Sequence, residues 1–331
     1  MPWSERCSKR RERRGNSEFS DMSKKSNRKP SSLELVLPAT SANLGPAFDA
    51  AALALGLSLR IRARTAGEFS VEARGRDADI CGRLENHLIL TTYREVLAAE
   101  GKTPGALALR LDNEIPIGKG CGSSAAARLA GIALAVHFGK LRWTDSRIIG
   151  EASRREHHPD NAAACWLGGL TVARMSGEAD AQVARFVPKG KWPLLLAVPR
   201  ESLSTEEARR VLPAQYSRAD AVANIQNSML LLAALVQGNA GLLAASLSDR
   251  IHQPYRATLC PLLPALQKLN GTSGILGVVL SGAGPSALIF VEAKANMARV
   301  KARVAEHLNS IGLPAELISS AIRARGAGSK R

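Results

Sequence analysis

The stretch that most constrains this chain is Pro116-Ile117-Gly118-Lys119-Gly120-Cys121-Gly122-Ser123-Ser124-Ala125-Ala126-Ala127, which runs without a break into the Ala/Leu-rich residues 128–138. Three glycines at alternate positions let a backbone turn tightly while its N–H groups stay clear of any Cβ. Two serines at the head of an Ala-rich helix offer caps and hydroxyl ligands at the positive end of the helix dipole. These are the parts of an anion site, which in proteins most often receives a phosphate. The loop is not a Walker A motif, because no Lys precedes the serines. Nor is it the Rossmann fingerprint, because Ser123 stands where the third glycine belongs. On this segment alone, an ordinary glycine-rich strand-to-helix turn reads equally well.

Other segments supply the frame around it. Leu33, Leu35 and Leu37 alternate with Glu34 and Val36, a strand entering the polar turn Pro38-Ala39-Thr40-Ser41-Ala42-Asn43-Leu44-Gly45-Pro46. An apolar stretch at 48–59 leads into an Arg-alternating strand at 59–64, and residues 106–111 alternate again. Residues 87–100 read as a helix with Leu88, Thr91, Tyr93 and Leu97 on its core face. Helices are expected at 219–237, 241–249 and 293–308, and strands at 194–199 and 277–280. Two more polar clusters stand out. Glu156-His157-His158-Pro159-Asp160-Asn161 is either chemical machinery or a polar turn with Asp160 or Asn161 as N-cap. Leu280-Ser281-Gly282-Ala283-Gly284-Pro285-Ser286, between strand-like runs, reads by itself as a glycine hairpin.

At 331 residues the chain has room for two domains. Its longest purely apolar run, 229–236, is eight residues, too short to span a bilayer, and its start is basic and polar. The expectation is a soluble cytoplasmic protein without a membrane segment. Five scattered cysteines, without a Cys-x-x-Cys pair or zinc spacing, fit reduced thiols. The net charge of +16 suggests nucleic acid until it is divided along the chain. Residues 1–30 hold ten basic against four acidic residues, residues 323–331 add four basic ones, and only +6 remains over 31–322. The basicity lies largely in two tails, so a nucleic-acid partner is not expected. Residues 1–30 are nearly devoid of apolar side chains and are expected to be disordered, with Met22 an alternative start.

Taken in order, Ala39-Thr40-Ser41-Ala42-Asn43-Leu44-Gly45-Pro46-Ala47-Phe48-Asp49, the Gly-x-Gly-Ser-Ser loop, Glu156-x-His158-Pro159-Asp160-Asn161 and Ser281-Gly282-Ala283-Gly284-Pro285-Ser286 resemble the motifs of the homoserine branch of the GHMP kinase superfamily. The resemblance covers about residues 33–310. Two segments favour the branch: Ser204-Thr205-Glu206-Glu207-Ala208-Arg209-Arg210-Val211-Leu212-Pro213 and His252-Gln253-Pro254-Tyr255-Arg256. The resemblance implies an α+β chain in two lobes: a ribosomal-protein-S5-like ATP-binding lobe at 31–175 and a ferredoxin-like lobe at 190–315. The tails 1–30 and 323–331 lie outside both, and the polar stretch 176–180 followed by Pro188-Lys189-Gly190-Lys191 marks the break. It further implies ATP, held by Pro116, Gly118, Lys119, Gly120, Cys121, Gly122, Ser123, Ser124, Ala125, Gly282 and Gly284, with Asn86 at the adenine. Mg²⁺ would sit on Ser124 and an acid, Glu156 by register or Glu151 at a longer spacing. L-Homoserine, phosphorylated on the way to threonine, would meet Asn43, Asp49, His158, Asn161 and Thr205, with its carboxylate on Arg209 and Arg256. His158, Asn161 and Asn43 would flank the reacting hydroxyl. A homodimer is left open.

Four positions depart from the family pattern. Ala47 replaces the Gly of Gly-Pro-Gly-Phe-Asp, Cys121 the Leu of Gly-Leu-Gly-Ser-Ser, His157 the Gly of Glu-Gly-His, and Ala162-Ala163-Ala164 a Val-Ala-Pro. If the backbone at Ala47 needs φ > 0, its Cβ strains the loop carrying Asp49. Competing readings are a kinase for mevalonate or a sugar, a catalytically silent scaffold, and a basic nucleic-acid-associated protein with a continuous Lys/Arg face.

Overall fold

The computed structural model describes residues 31–328. The expectations for 1–30, including a start at Met22, and for 329–331 lie outside the described residues. The strands are β1 (Ser32–Ala42), β2 (Ala51–Thr65), β3 (Ser70–Gly75), β4 (Leu107–Asn113), β5 (Leu170–Met175), β6 (Ala181–Phe186), β7 (Pro193–Val198), β8 (Ile275–Leu280), β9 (Ala287–Val291) and β10 (Glu316–Ala321). The helices are α1 (Ala78–Cys81), α2 (Leu88–Ala99), α3 (Ser123–Phe138), α4 (Asp145–Glu156), α5 (Asp160–Leu167), α6 (Thr205–Arg210), α7 (Arg218–Gln237), α8 (Ala240–Ser246), α9 (Gln253–Arg256), α10 (Leu262–Gln267) and α11 (Met297–Ser310).

The first sheet runs β3-β4-β2-β5-β6, with β1 also paired to β2. β2 is long enough to serve two neighbours on one edge, β4 along Leu59–Thr65 and β5 along Ala51–Leu53. Its alternation works as the sequence predicts: Leu53, Leu55, Leu59 and Ile61 are buried, while Arg60, Arg62 and Arg64 face solvent. That arginine face is not continuously basic, because Glu34 pairs with Arg62 and Glu72 with Arg74 and Arg110. The core side of the sheet is covered by α3, which is apolar nearly all round and therefore buried along most of its length. Helix α2 packs on α3 through Ile89, Leu90, Thr92, Tyr93, Val96 and Leu97, so the expected face is rotated and Leu88 and Thr91 are only half-buried. Close approach sets this register: a Cβ on Gly131 of α3 would lie 2.5 Å from the Ile89 carbonyl oxygen.

The second sheet, β10-β7-β9-β8, is antiparallel throughout. Leu195 and Ala197 of β7 face a core shared with α10 and α11, whereas Leu194 and Leu196 join the main core with Leu231 and Leu235 of α7. Burial of both faces explains why β7 reads as an unbroken apolar run. Of the two polar stretches expected to mark the break, 176–180 is the turn between the antiparallel strands β5 and β6, and 188–191 lies between β6 and β7. The chain leaves the first sheet only at 187–192. Nor is the start of the expected C-terminal tail free. Gly169 N donates to the Arg323 carbonyl, and Ala327 and Gly328 donate to the carbonyls of Cys165 and Trp166.

Helix α7 is capped by Ser217, whose hydroxyl accepts from Asp220 N, and stopped by Gly238 at φ 78°. At 20 residues, with mean hydropathy 1.3 over an 18-residue window, it is long and apolar enough to cross a membrane, and 22% of that window is buried. Val222, Ile225 and Met229 form an exposed stripe at helical spacing.

Candidate active site

Three segments distant in sequence clasp one another at the mouth of the first sheet. Gly118, Gly120 and Gly122 all have positive φ, at 68°, 74° and 71°. Gly122 is the N-cap of α3 and no side chain caps that helix, so Ser123 and Ser124 are its first helical residues rather than the caps the sequence suggested. The first-turn amides are thus left for another acceptor. Ser281 Oγ donates to the Gly120 carbonyl at 2.8 Å, and a Cβ on Gly120 would lie 2.2 Å from Ser281 O and 2.6 Å from Gly284 O. From the third segment, Asn43 Nδ2 donates to the Gly282 carbonyl at 2.8 Å while Asn43 Oδ1 accepts from Asp49 N at 2.9 Å. Asn43 lines the site, but its amide fastens loops to one another.

The clasp encloses a cavity of about 100 Å³ lined by Asp49, Ser124, Glu156, His158, Asn161 and Arg209, among others. Arg209 Nη2 lies 2.8 and 2.9 Å from the two Asp49 oxygens, and its Nε is buried without a partner among the described residues. Burial raises the Asp49 carboxyl above its ordinary 3.8 and outweighs the Arg209 charge that lowers it. Phe48 stacks on His252 and lies under both guanidinium groups, with Arg209 Cζ 5.5 Å and Arg256 Cζ 5.2 Å from its ring centroid. Arg256 is 1% exposed; its Nε donates to the Ala208 carbonyl and its Nη1 meets His252 Nδ1 at 3.2 Å. His252 can accept there because burial lowers its pKa to about 4.

Opposite stands His158, whose Nδ1 is 2.6 Å from Asp160 Oδ1, both residues being buried. A carboxylate that only accepts places a proton on Nδ1, and in the neutral imidazole Nε2 then carries the lone pair. Burial lowers the imidazole pKa, but the Asp160 hydrogen bond and charge prevail and hold it above 6.5. Asn161 Oδ1 accepts from Thr40 Oγ1 at 2.5 Å. Asp160 is thus no N-cap; it is the first residue of α5 and braces His158. Asp160, Thr40 and Phe48 lay inside quoted motifs, yet only their contacts reveal their parts.

Of the two candidate acids, Glu156 reaches the cavity and accepts from Ser124 Oγ at 2.6 Å and Arg128 Nε at 2.5 Å. Glu151 does not: it is bound by Arg154 and Arg155, whose bonds and charges outweigh burial and hold its pKa low. Arg128, missed at the sequence level, sits one helical turn after Ser124, and that spacing is the signal that would have found it. Asn86 and Thr205 line a larger adjoining cavity of about 480 Å³ with apolar walls including Ile80, Ile115 and Ile117. Four expected ligands turn elsewhere: Pro116 and Ala125 line neither cavity, Lys119 Nζ donates to the Arg200 carbonyl, and Cys121 faces the core.

Comparison with known proteins identifies the family. Residues 87–169 match the GHMP kinases N terminal domain and residues 231–310 the GHMP kinases C terminal domain. The homoserine kinase of Solibacter usitatus is 44% identical over 258 residues, covering 78% of this chain and 84% of that one. The chain belongs to the homoserine kinase family. Within that family, the homoserine kinase of a Synechocystis strain is 35% identical over 89% of this chain and 97% of its own. A putative homoserine kinase structure from Listeria monocytogenes superposes with TM-score 0.72 at 25% identity, over 91% of this chain and 99% of that one. The wider fold is shared with L. major mevalonate kinase, at TM-score 0.67 and 14% identity over 90% and 98% of the two chains. The two-lobed α+β GHMP kinase fold expected from the motifs is therefore the fold of this chain.

Against the homoserine kinase pattern, the four departures have separate consequences. Ala47 is not among the left-handed residues; positive φ falls on Asn43, Leu44 and Asp49, at 69°, 47° and 53°, so the Ala47 Cβ adds no strain. Cys121 is fully buried and its thiol is pushed up to about 12 by burial, which makes it a core residue rather than a reactive group beside the phosphate loop. His157 ends α4 in the left-handed region at φ 67°, the conformation for which the family uses Gly, at a cost of about 1 kcal/mol. Ala162, Ala163 and Ala164 are buried within α5.

Proposed function

We propose that this chain transfers the γ-phosphoryl group of ATP to the side-chain hydroxyl of L-homoserine, giving O-phospho-L-homoserine and ADP in the cytoplasm. The observation that carries the reading is the Asp49–Arg209 pair, its side chains 30% and 33% exposed, facing the cavity that also holds His158 and the head of α3. An α-amino acid bears the complementary two charges. It exchanges one internal ion pair for two, ammonium on Asp49 and carboxylate on Arg209, with Arg256 behind and Thr205 at the rim. An alcohol with one charge breaks the same pair and satisfies half of it.

The ATP phosphates lie on the amides of 118–124 and the uncapped α3 terminus, backed by Gly282 and Gly284, with the adenine in the larger cavity beside Asn86. A hydroxyl and a carboxylate converging at Ser124 and Glu156 are hard oxygen donors that fit Mg²⁺, which when bound neutralises phosphate charge. His158, its Nδ1 proton on Asp160, turns Nε2 to the homoserine hydroxyl and orients it in line; Asn161, braced by Thr40, lies beside it. The new bond joins the hydroxyl oxygen to the γ-phosphorus as the bond to the β,γ-bridging oxygen breaks, and the hydroxyl proton is lost to solvent. Positioning and charge neutralisation supply most of the acceleration. We set the boundary between the ATP lobe and the second lobe at 187–192.

The reading is tested by steady-state kinetics with Mg-ATP and three acceptors of equal reach: L-homoserine, 4-hydroxybutyrate and 3-aminopropan-1-ol. Each half-charged alcohol is expected to lose at least about 100-fold in kcat/KM. Comparable use of all three contradicts recognition by the Asp49–Arg209 pair.

A further inference from the structure

Arg128 and Ser124 are separated by one turn of α3 and project from the same face. Both donate to the same atom, Oε1 of Glu156, at 2.5 and 2.6 Å. The Glu156 side chain is 11% exposed and that of Arg128 25%, so the ion pair is only partly screened by solvent. A carboxylate accepts about four hydrogen bonds over two oxygens, so Oε2 retains its capacity while Oε1 is engaged. The guanidinium is planar and permanently charged, and it already occupies the acid that the proposed function gives to Mg²⁺.

A divalent ion arriving at Glu156 meets that positive charge at close range. We propose that Arg128 is an internal competitor for Glu156 that keeps the carboxylate from collecting a divalent metal until nucleotide phosphates supply further ligands and a second anion for the guanidinium. Arg128 then acts as a positioning residue that makes metal binding depend on nucleotide. The inference rests on Ser124 and Glu156 being the metal ligands, and its test separates the two ideas.

Mn²⁺ serves as the probe, its binding followed by electron paramagnetic resonance of the free ion, with and without ADP. In Arg128→Met, Mn²⁺ is expected to bind the nucleotide-free protein about tenfold more tightly than in wild type. The enhancement of Mn²⁺ binding by ADP should shrink by about the same factor, because the linkage is reciprocal. Arg128→Lys, which restores the charge, is expected to return Mn²⁺ affinity toward wild type, and Arg128→Gln, neutral but polar, repeats the charge removal if the Met variant folds poorly. Unchanged or weaker Mn²⁺ binding in Arg128→Met overturns the competitor role and leaves Arg128 a simple orienter of Glu156. If Glu156→Gln binds Mn²⁺ as wild type does in the presence of ADP, the metal assignment fails and the inference with it.

Discussion

Replacing Arg209 by alanine is expected to lower kcat/KM for L-homoserine by about 10²- to 10³-fold, nearly all of it through KM, while the KM for ATP changes little. The guanidinium contacts both Asp49 oxygens through Nη2 alone and Arg209 lines the cavity, so a carboxylate bound there meets its charge directly. Its pairing with Asp49 is one-third exposed, which limits its worth to the free protein to under about 1 kcal/mol. Ligand binding therefore suffers far more than folding does. Removal of the guanidinium also leaves Asp49 without its counter-charge in a site that already raises its pKa. Steady-state kinetics with each substrate varied separates the two constants. A rise in the KM for ATP instead, with homoserine unaffected, would move Arg209 to the nucleotide side of the cleft.

Gly120→Ala is expected to be the most destructive single-methyl change in the phosphate loop, costing more than about 3 kcal/mol of stability and abolishing nucleotide binding. Its φ of 74° is disfavoured for alanine, and the added Cβ would lie 2.2 and 2.6 Å from two main-chain oxygens, Ser281 O and Gly284 O. Neither oxygen belongs to a side chain that can rotate away. The second glycine segment would be pushed out and the Ser281–Gly120 hydrogen bond lost with it. Gly177→Ala is the matched control, because nothing lies within 4 Å of its Cβ position. Thermal melts of the two variants, with ATP titrated into each, should differ sharply; an unaltered melt for Gly120→Ala would mean that the segments do not clasp.

That clasp also marks where the sequence stops being readable. Elements whose signal is local were legible. The glycine loop leads into α3, the helix expected at 87–100 is Leu88–Ala99, that at 219–237 is Arg218–Gln237, and the strand at 194–199 is Pro193–Val198. Periodicity and punctuation fix such segments without help from the rest of the chain. The helix expected at 293–308 begins instead at Met297, because Asn296 accepts from Ala298 and Arg299 and so caps it. The polar residues 176–180 misled because a hairpin turn and a linker share a composition.

Most of the candidate residues gather around one cavity, but their pairings were not legible in the sequence. Glu151 and Glu156 are alike in sequence, and only the neighbours Arg154 and Arg155 on one side, Ser124 on the other, tell them apart. Asn43 was expected at the hydroxyl and is found fastening two loops, because both its bonds reach main-chain groups that the fold brings to it. Asp160 passes for a cap until His158 is seen folded back onto it. His157 and Ala47 exchange roles in the same way: the position thought to strain the backbone does not, and the left-handed position is the histidine. Backbone conformation, unlike hydrophobic periodicity, leaves little trace in residue type when the usual glycine is absent.

The central claim is that these loops form a kinase site for an amino-acid alcohol. It is tested most directly by ADP release from Mg-ATP in the presence of L-homoserine, mevalonate, galactose or no acceptor, measured side by side. The account predicts release with homoserine alone, matched mole for mole by O-phosphohomoserine. Turnover of mevalonate or galactose with homoserine inert, or ATP binding without turnover of any acceptor, would contradict it.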